Sequence, residues 1–185
     1  MDRRHAVIFV LMMVTLTSSS AFQIHPGYQI GNHKSTISPF STALQTLQKQ
    51  INYTFHSIDL LRRAVTHASF SEENNRALSI LGTSIIETSV SSRYLLDDID
   101  ISSKILNSKI AEVSSVESSC AVDGMRLALH KIIRVSHKTN STAPAIVCGA
   151  FRAMFGAIAL DSGRSDDAGN VFWNLHTRTI QIAAL

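Results

Sequence analysis

LQKQINYTFHSIDLLRRAVTHASFSEENNRALSILGTSIIE, residues 47–87, is the stretch whose reading decides the fold. Leu44, Leu47 and Ile51 step at helical spacing across its start. Asp59, Leu60, Leu61, Ala64 and Val65 outline a second helix, and Leu78, Leu81, Ile85, Ile86 and Val90 a third. Glu72 and Glu73 precede that third helix on the side where its N-terminal dipole favours negative charge. No β-alternation of useful length interrupts the series.

Downstream, Ile105 to Ala128 reads as a further helical region, with Gly124 the expected interruption. Pro144 opens a helix over Ala145–Leu160 whose apolar face (Ile146, Val147, Phe151, Met154, Phe155, Ile158) is broad enough for a central position. Gly163 and the Asp166-Asp167 pair mark a turn before a last helix, Ala168–Ala184, where Phe172 and Trp173 read as core. The fold class is therefore all-α. A chain of 185 residues, 45% hydrophobic and 17% charged, suits one ordered domain behind a leader, and the composition excludes a solvated tail. A net charge of +3 and a pI of 9.1 permit nucleic-acid binding without demanding it, since no lysine-rich tail or basic helix is present.

Residues 47–87 also resemble the start of a ribonuclease III domain, following its "GYTF", "LL..ALTH.S" and "NNERLEFLGD" motifs in order. APAIVCGAFRAMFGAIALDSG, Ala143 to Gly163, is similar to the family's second acidic helix, "ADTVEALIGA", and its "G.I.LDSG" exit. LALHKIIR, Leu127 to Arg134, is similar to the "LGL.KYLR" segment between them. The resemblance implies a ribonuclease III-like helical domain over residues 41–185. It also implies five acidic metal ligands, and the matching positions hold Arg76, Ser79, Thr83, Gly149 and Arg152.

That substitution carries the chemistry. Hydrolysis of a phosphodiester in this family relies on Mg²⁺, which takes oxygen ligands, anionic ones foremost. Two guanidinium groups, two hydroxyls and a glycine make a cationic pocket, so no metal, no cofactor and no catalytic residue is expected. Arg76 and Arg152, brought together by the family geometry, would either form an anion site or turn outward to pair with Glu72, Glu73 or Glu87; pairing is the favoured reading. Glu87 alone is a poor Mg²⁺ ligand set. The Asp97, Asp98 and Asp100 cluster lacks the pattern of a calcium loop and reads as a solvated helix end. His67, in the place of the family's "THRS" histidine, implies a structural role, and no G-x-S-x-G elbow supports a serine hydrolase. Ile80 and Leu81 fall where the family's helix meets a second subunit, which implies a homodimer.

The N-terminus reads as a targeting segment. Arg3, Arg4 and His5 precede the apolar run Ala6–Leu16, and small residues through Ala21 offer a cleavage site. Residues 1–21 are expected to be a signal peptide, with an organelle transit peptide as the alternative, and 22–40 a linker. The run is shorter than the ~20 residues of a permanent anchor. Asn52 and Asn140 head glycosylation sequons, Asn140 in the more loop-like surroundings. Cys120 and Cys148 form an even pair that an oxidising compartment could join, although two buried free thiols are the favoured reading.

Two function classes follow. The first is a non-catalytic binding or dimerisation protein of the secretory pathway, in the endoplasmic reticulum lumen or secreted, with a protein partner and no requirement for RNA. Similarity to the short plant members of the family implies a link to fusion of nuclei. The alternative is an RNA-processing or double-stranded RNA-binding protein of a mitochondrion or plastid, acting with an active partner subunit.

Overall fold

The computed structural model describes residues 38–183, with side chains as far as Thr177. The leader and nearly all of the linker lie outside the described residues. Seven α-helices follow in order: α1 (Pro39–Ile51), α2 (Ile58–Ala64), α3 (Arg76–Asp97), α4 (Ser103–Ser114), α5 (Ala121–Arg126), α6 (Pro144–Ser162) and α7 (Ser165–Ala183). A π-helical turn, Val116–Cys120, links α4 to α5, and a 3₁₀ turn, Leu129–Lys131, follows α5. Among the described residues there is no strand beyond an isolated bridge between Thr66 and Arg134.

Helix α1 starts at Pro39 because Ser38 caps it, its hydroxyl accepting from the Ser41 N–H at 3.1 Å. Its other end explains an oddity of the sequence. Asn52 stands where the family motif has glycine, and its φ of 53° is left-handed, a conformation that asparagine tolerates better than most residues.

Helix α6 is the axis of the core, buried on nearly every face from Val147 to Ala159. It is apolar enough to cross a membrane by length and composition, but its burial is what a central helix requires. Helix α3 lies against it at unusually short range. A Cβ placed on Gly82 would overlap the Arg152 carbonyl, and one on Gly156 would overlap the carbonyl of Leu78 and come within 3.2 Å of the Gly82 nitrogen. Only paired glycines let these two backbones touch. Phe151, Phe155 and Phe172 then stack edge-to-face from α6 into α7.

The C-terminal end of α6 is tied to the α1–α2 loop through Asp161. Its carboxylate accepts from the Tyr53 hydroxyl at 2.9 Å and from the backbone N–H groups of His56 and Ser57 at 2.9 and 2.8 Å. Burial pushes the Asp161 pKa up, yet these donors outweigh it and hold the carboxyl below its ordinary value. Burial and the adjoining carboxylate together raise the Tyr53 phenol to about 12.

Two boundaries differ from the sequence reading. The region after Ile105 breaks at Ser115, whose extended ψ and hydroxyl cap start the π turn, and Gly124 instead sits inside α5, against Val147. Helix α7 begins at Ser165, three residues early, because Asp166 and Asp167 occupy its first turn and complement the dipole there.

Candidate functional site: a cleft without its acids

Helices α3 and α6 carry the five positions of interest, and their glycine contact sets where those side chains fall. Arg76, Ser79 and Gly149 border an open cavity of about 350 Å³, shared with His67, Asn75, Ile80, Ala145 and Ile146. Thr83 and Arg152 face a different gap, closed by Val113, Phe151 and Phe172, with no space for a water molecule. The five positions therefore border two spaces, one open and one closed.

Arg152 defines the closed half. Its Nη2 donates to the carbonyl of Ser114, the last residue of α4, at 2.6 Å. A cation there meets the negative end of the α4 dipole and satisfies a carbonyl the helix leaves unpaired. The expected pairing of Arg76 and Arg152 with Glu72, Glu73 or Glu87 is corrected: among the described residues neither arginine has a carboxylate within 4.0 Å. Glu87 instead accepts from the Ser114 hydroxyl at 3.5 Å. Thr83 turns its hydroxyl back to the Ser79 carbonyl, 2.9 Å away, as threonines within helices do. Nothing lies within 4 Å of a Cβ on Gly149. The donor set does not fit Mg²⁺, having hydroxyls and guanidiniums where a hard cation takes carboxylates. Among the described residues no group of three or more His, Cys, Asp or Glu side chains could hold a metal.

Cys120 and Cys148 are joined as a disulfide, with Cα atoms 5.1 Å apart, which corrects the favoured reading of two free thiols. Both are nonetheless buried, so core position and pairing coincide. The bridge staples the π turn to α6 beside Gly149 and closes a loop of 28 residues.

Asn140 and Asn52 are both exposed. The Asn140 side-chain oxygen accepts from the Thr142 N–H at 2.9 Å and its hydroxyl at 2.7 Å, as in an Asx turn. His67 organises a loop: its Nδ1 accepts from the Ser69 N–H at 3.1 Å, and the Ser69 hydroxyl accepts from the Ser136 N–H. Ile80 is 72% exposed, and Leu81 is half-buried toward a groove between α3 and α7.

Three features escaped the sequence reading. Trp173 is not core like Phe172 but borders that groove, its Nε1 donating to the Ser89 hydroxyl at 2.9 Å. Buried Asp123 meets His176 Nδ1 at 2.7 Å, joining α5 to α7. Arg134 donates to the Thr66 hydroxyl and lies over the rings of Phe40 and Phe70. Only the last had a local signal, since Arg134 ends a segment already singled out.

The family model described as Ribonuclease-III-like matches residues 57–175, from before α2 to within α7. The chain belongs to the ribonuclease-III-like family. Over 139 residues it is 64% identical to the Arabidopsis thaliana protein called Protein NUCLEAR FUSION DEFECTIVE 2, covering 75% of this chain and 73% of that one. It is 29% identical to Ribonuclease 3 of Delftia acidovorans over 130 residues, spanning 65% of this chain and 54% of the enzyme. Among solved structures it is similar to the nuclease domain of ribonuclease III from Campylobacter jejuni, with a TM-score of 0.69 at 25% identity, covering 74% of this chain and 97% of that domain. That structure concerns flexibility in a region involved in dimer formation. The all-α expectation and the family resemblance both hold.

Proposed function

We propose that this ribonuclease-III-like protein is non-catalytic and works in the secretory pathway as a homodimeric binding module, in a setting linked to fusion of nuclei. The observation that carries the non-catalytic reading is Arg152. A guanidinium fixed on the Ser114 carbonyl fills the place where the family motif has an acidic ligand. The buried disulfide supports an oxidising compartment, as do the exposed sequons at Asn140 and Asn52. Ile80, exposed on α3 at the family's subunit contact, supports a homodimer, and a related nuclease domain has a region involved in dimer formation. The karyogamy setting rests on the name of the Arabidopsis relative.

The test joins chemistry to location. Purified protein is expected to show no saturable Mg²⁺ binding by calorimetry and no cleavage of double-stranded RNA. The expressed protein is expected to lose its first residues near Ala21 and to carry a glycan at Asn140. Magnesium binding at the cleft would refute the non-catalytic reading. Unglycosylated protein inside a mitochondrion or plastid would refute the secretory one and favour RNA processing beside an active partner subunit.

A further inference from the structure

A second surface, away from the open cavity, carries its own chemistry. Helices α3 and α7 enclose a groove of about 650 Å³ whose floor is Leu81, Ile85 and Trp173. From Leu81 to Asp97 the α3 wall runs sixteen steps at the helical rise, so the groove is about 24 Å long. At its far end Leu96 is 87% exposed, and Ile99 and Ile105, 76% and 52% exposed, follow it in the chain. Large exposed apolar side chains beside an apolar-floored groove on a well-packed domain mark a contact surface.

The charge around that groove is mostly negative, with Arg93 the one cation among the lining residues. Asp97 and Asp166 sit at the groove's rim, and Asp98 and Asp100 continue the run past Leu96. Among the described residues none of these four carboxylates has a cation within 4.0 Å. The groove's own cation, Arg93, is occupied, its guanidinium 4.4 Å from the centre of the Trp173 ring. On a chain whose net charge is +3, four unpaired acids around an apolar trough form a local negative field opposite to the whole.

We propose that this groove docks an amphipathic helix of a partner protein, with leucine-like residues on one face and lysine or arginine along its edges. Length favours a helix, since four turns span the trough, and such grooves are read by anchors at i, i+3 and i+7. Charge selects a basic one. A second copy of this chain is disfavoured, because a two-fold axis through this face would oppose the Asp97, Asp98 and Asp100 clusters of the two subunits. Leu81, expected beside Ile80 at the subunit contact, lines this groove instead, while Ile80 borders the open cavity; the proposal therefore concerns the Leu81 side of α3 and depends on neither metal chemistry nor compartment.

Trp173 is the chain's sole tryptophan, so its emission reports on this groove alone. The full chain is titrated with a synthetic amphipathic helix of leucine and lysine about eighteen residues long, and in parallel with its leucine and glutamate counterpart. The basic peptide is expected to shift Trp173 emission saturably at micromolar concentration, with the acidic one at least tenfold weaker. The exposed double variant Asp97→Asn, Asp166→Asn is expected to lose the preference for the basic peptide. Leu96→Ser is expected to weaken binding tenfold with unchanged circular dichroism. No saturable shift, or equal binding of both peptides, overturns the proposal. Emission that changes with the protein's own concentration and resists competition by the basic peptide also overturns it, assigning the groove to a second copy or to the chain's own N-terminal segment.

Discussion

Replacing Gly82 and Gly149 by alanine, one at a time, should move stability in opposite directions. Both lie inside long helices, where alanine is favoured over glycine by about 0.8–1 kcal/mol. At Gly149 a Cβ meets nothing within 4 Å, so that gain is expected nearly in full. At Gly82 the Cβ would overlap the Arg152 carbonyl, far inside the ~3.3–3.6 Å that a carbon keeps from a carbonyl oxygen. The obstacle is helix backbone, so no rotamer change relieves it and α3 must shift off α6. Overpacking of this kind costs about 1–3 kcal/mol and sometimes more. With two backbones opposed, the upper end applies, leaving a net loss of about 2 kcal/mol. At about 3 °C per kcal/mol for a domain of this size, thermal melts should place Gly82→Ala some 6 °C below the wild type and Gly149→Ala about 2–3 °C above it. A Gly82→Ala protein as stable as the wild type would refute the close packing of α3 on α6.

Removing the disulfide by Cys120→Ala with Cys148→Ala should cost about 3–4 kcal/mol, the loop-closure value for a 28-residue separation, read from denaturant midpoints; an unchanged midpoint refutes the bridge. Because the folded Asp161 pKa is depressed, its contribution is full above the ordinary carboxylate value of 3.8 and lost as pH falls through the folded value; Asp161→Asn should flatten that acid limb of the stability curve. Tyr53 works the other way, its contribution present below pH 10.0 and lost as pH rises toward about 12, and phenolate absorbance in Asp161→Asn should titrate earlier. Ile80→Glu should give a folded monomer by sedimentation, and a monomeric wild type at high concentration would refute the homodimer. Arginines at Val10 and Met13 should keep the protein in the cytosol, since each costs ~2.5–3.5 kcal/mol near the centre of a membrane helix; secretion of that variant would refute the signal-peptide reading.

Helix identities were legible because their cause is local. The apolar steps of α1, α2 and α3 and the proline opening α6 act within a few residues, and the structure follows them. Features that depend on how helices cross were not legible. The close approach of Gly82 to the Arg152 backbone and the meeting of Asp123 with His176, 53 residues apart, follow from packing, which periodicity does not encode. The break at Ser115 was within reach, since a serine followed three residues on by Ser118 is a capping pattern that outweighs a lone glycine. Motif resemblance located the five positions but not the partner of Arg152. Arg152 reaches α4, and α4 is not part of either motif.

The bond between Arg152 and Ser114 makes the fold resist an acid at this position. Arg152→Glu would break a charge-assisted hydrogen bond worth ~1.5–3 kcal/mol and set a carboxylate against the carbonyl end of α4. No metal would be present to neutralise that charge until several further positions had changed as well. A single acid there therefore lowers stability with no gain in chemistry, and the arginine acts as a catch that holds the position as it is.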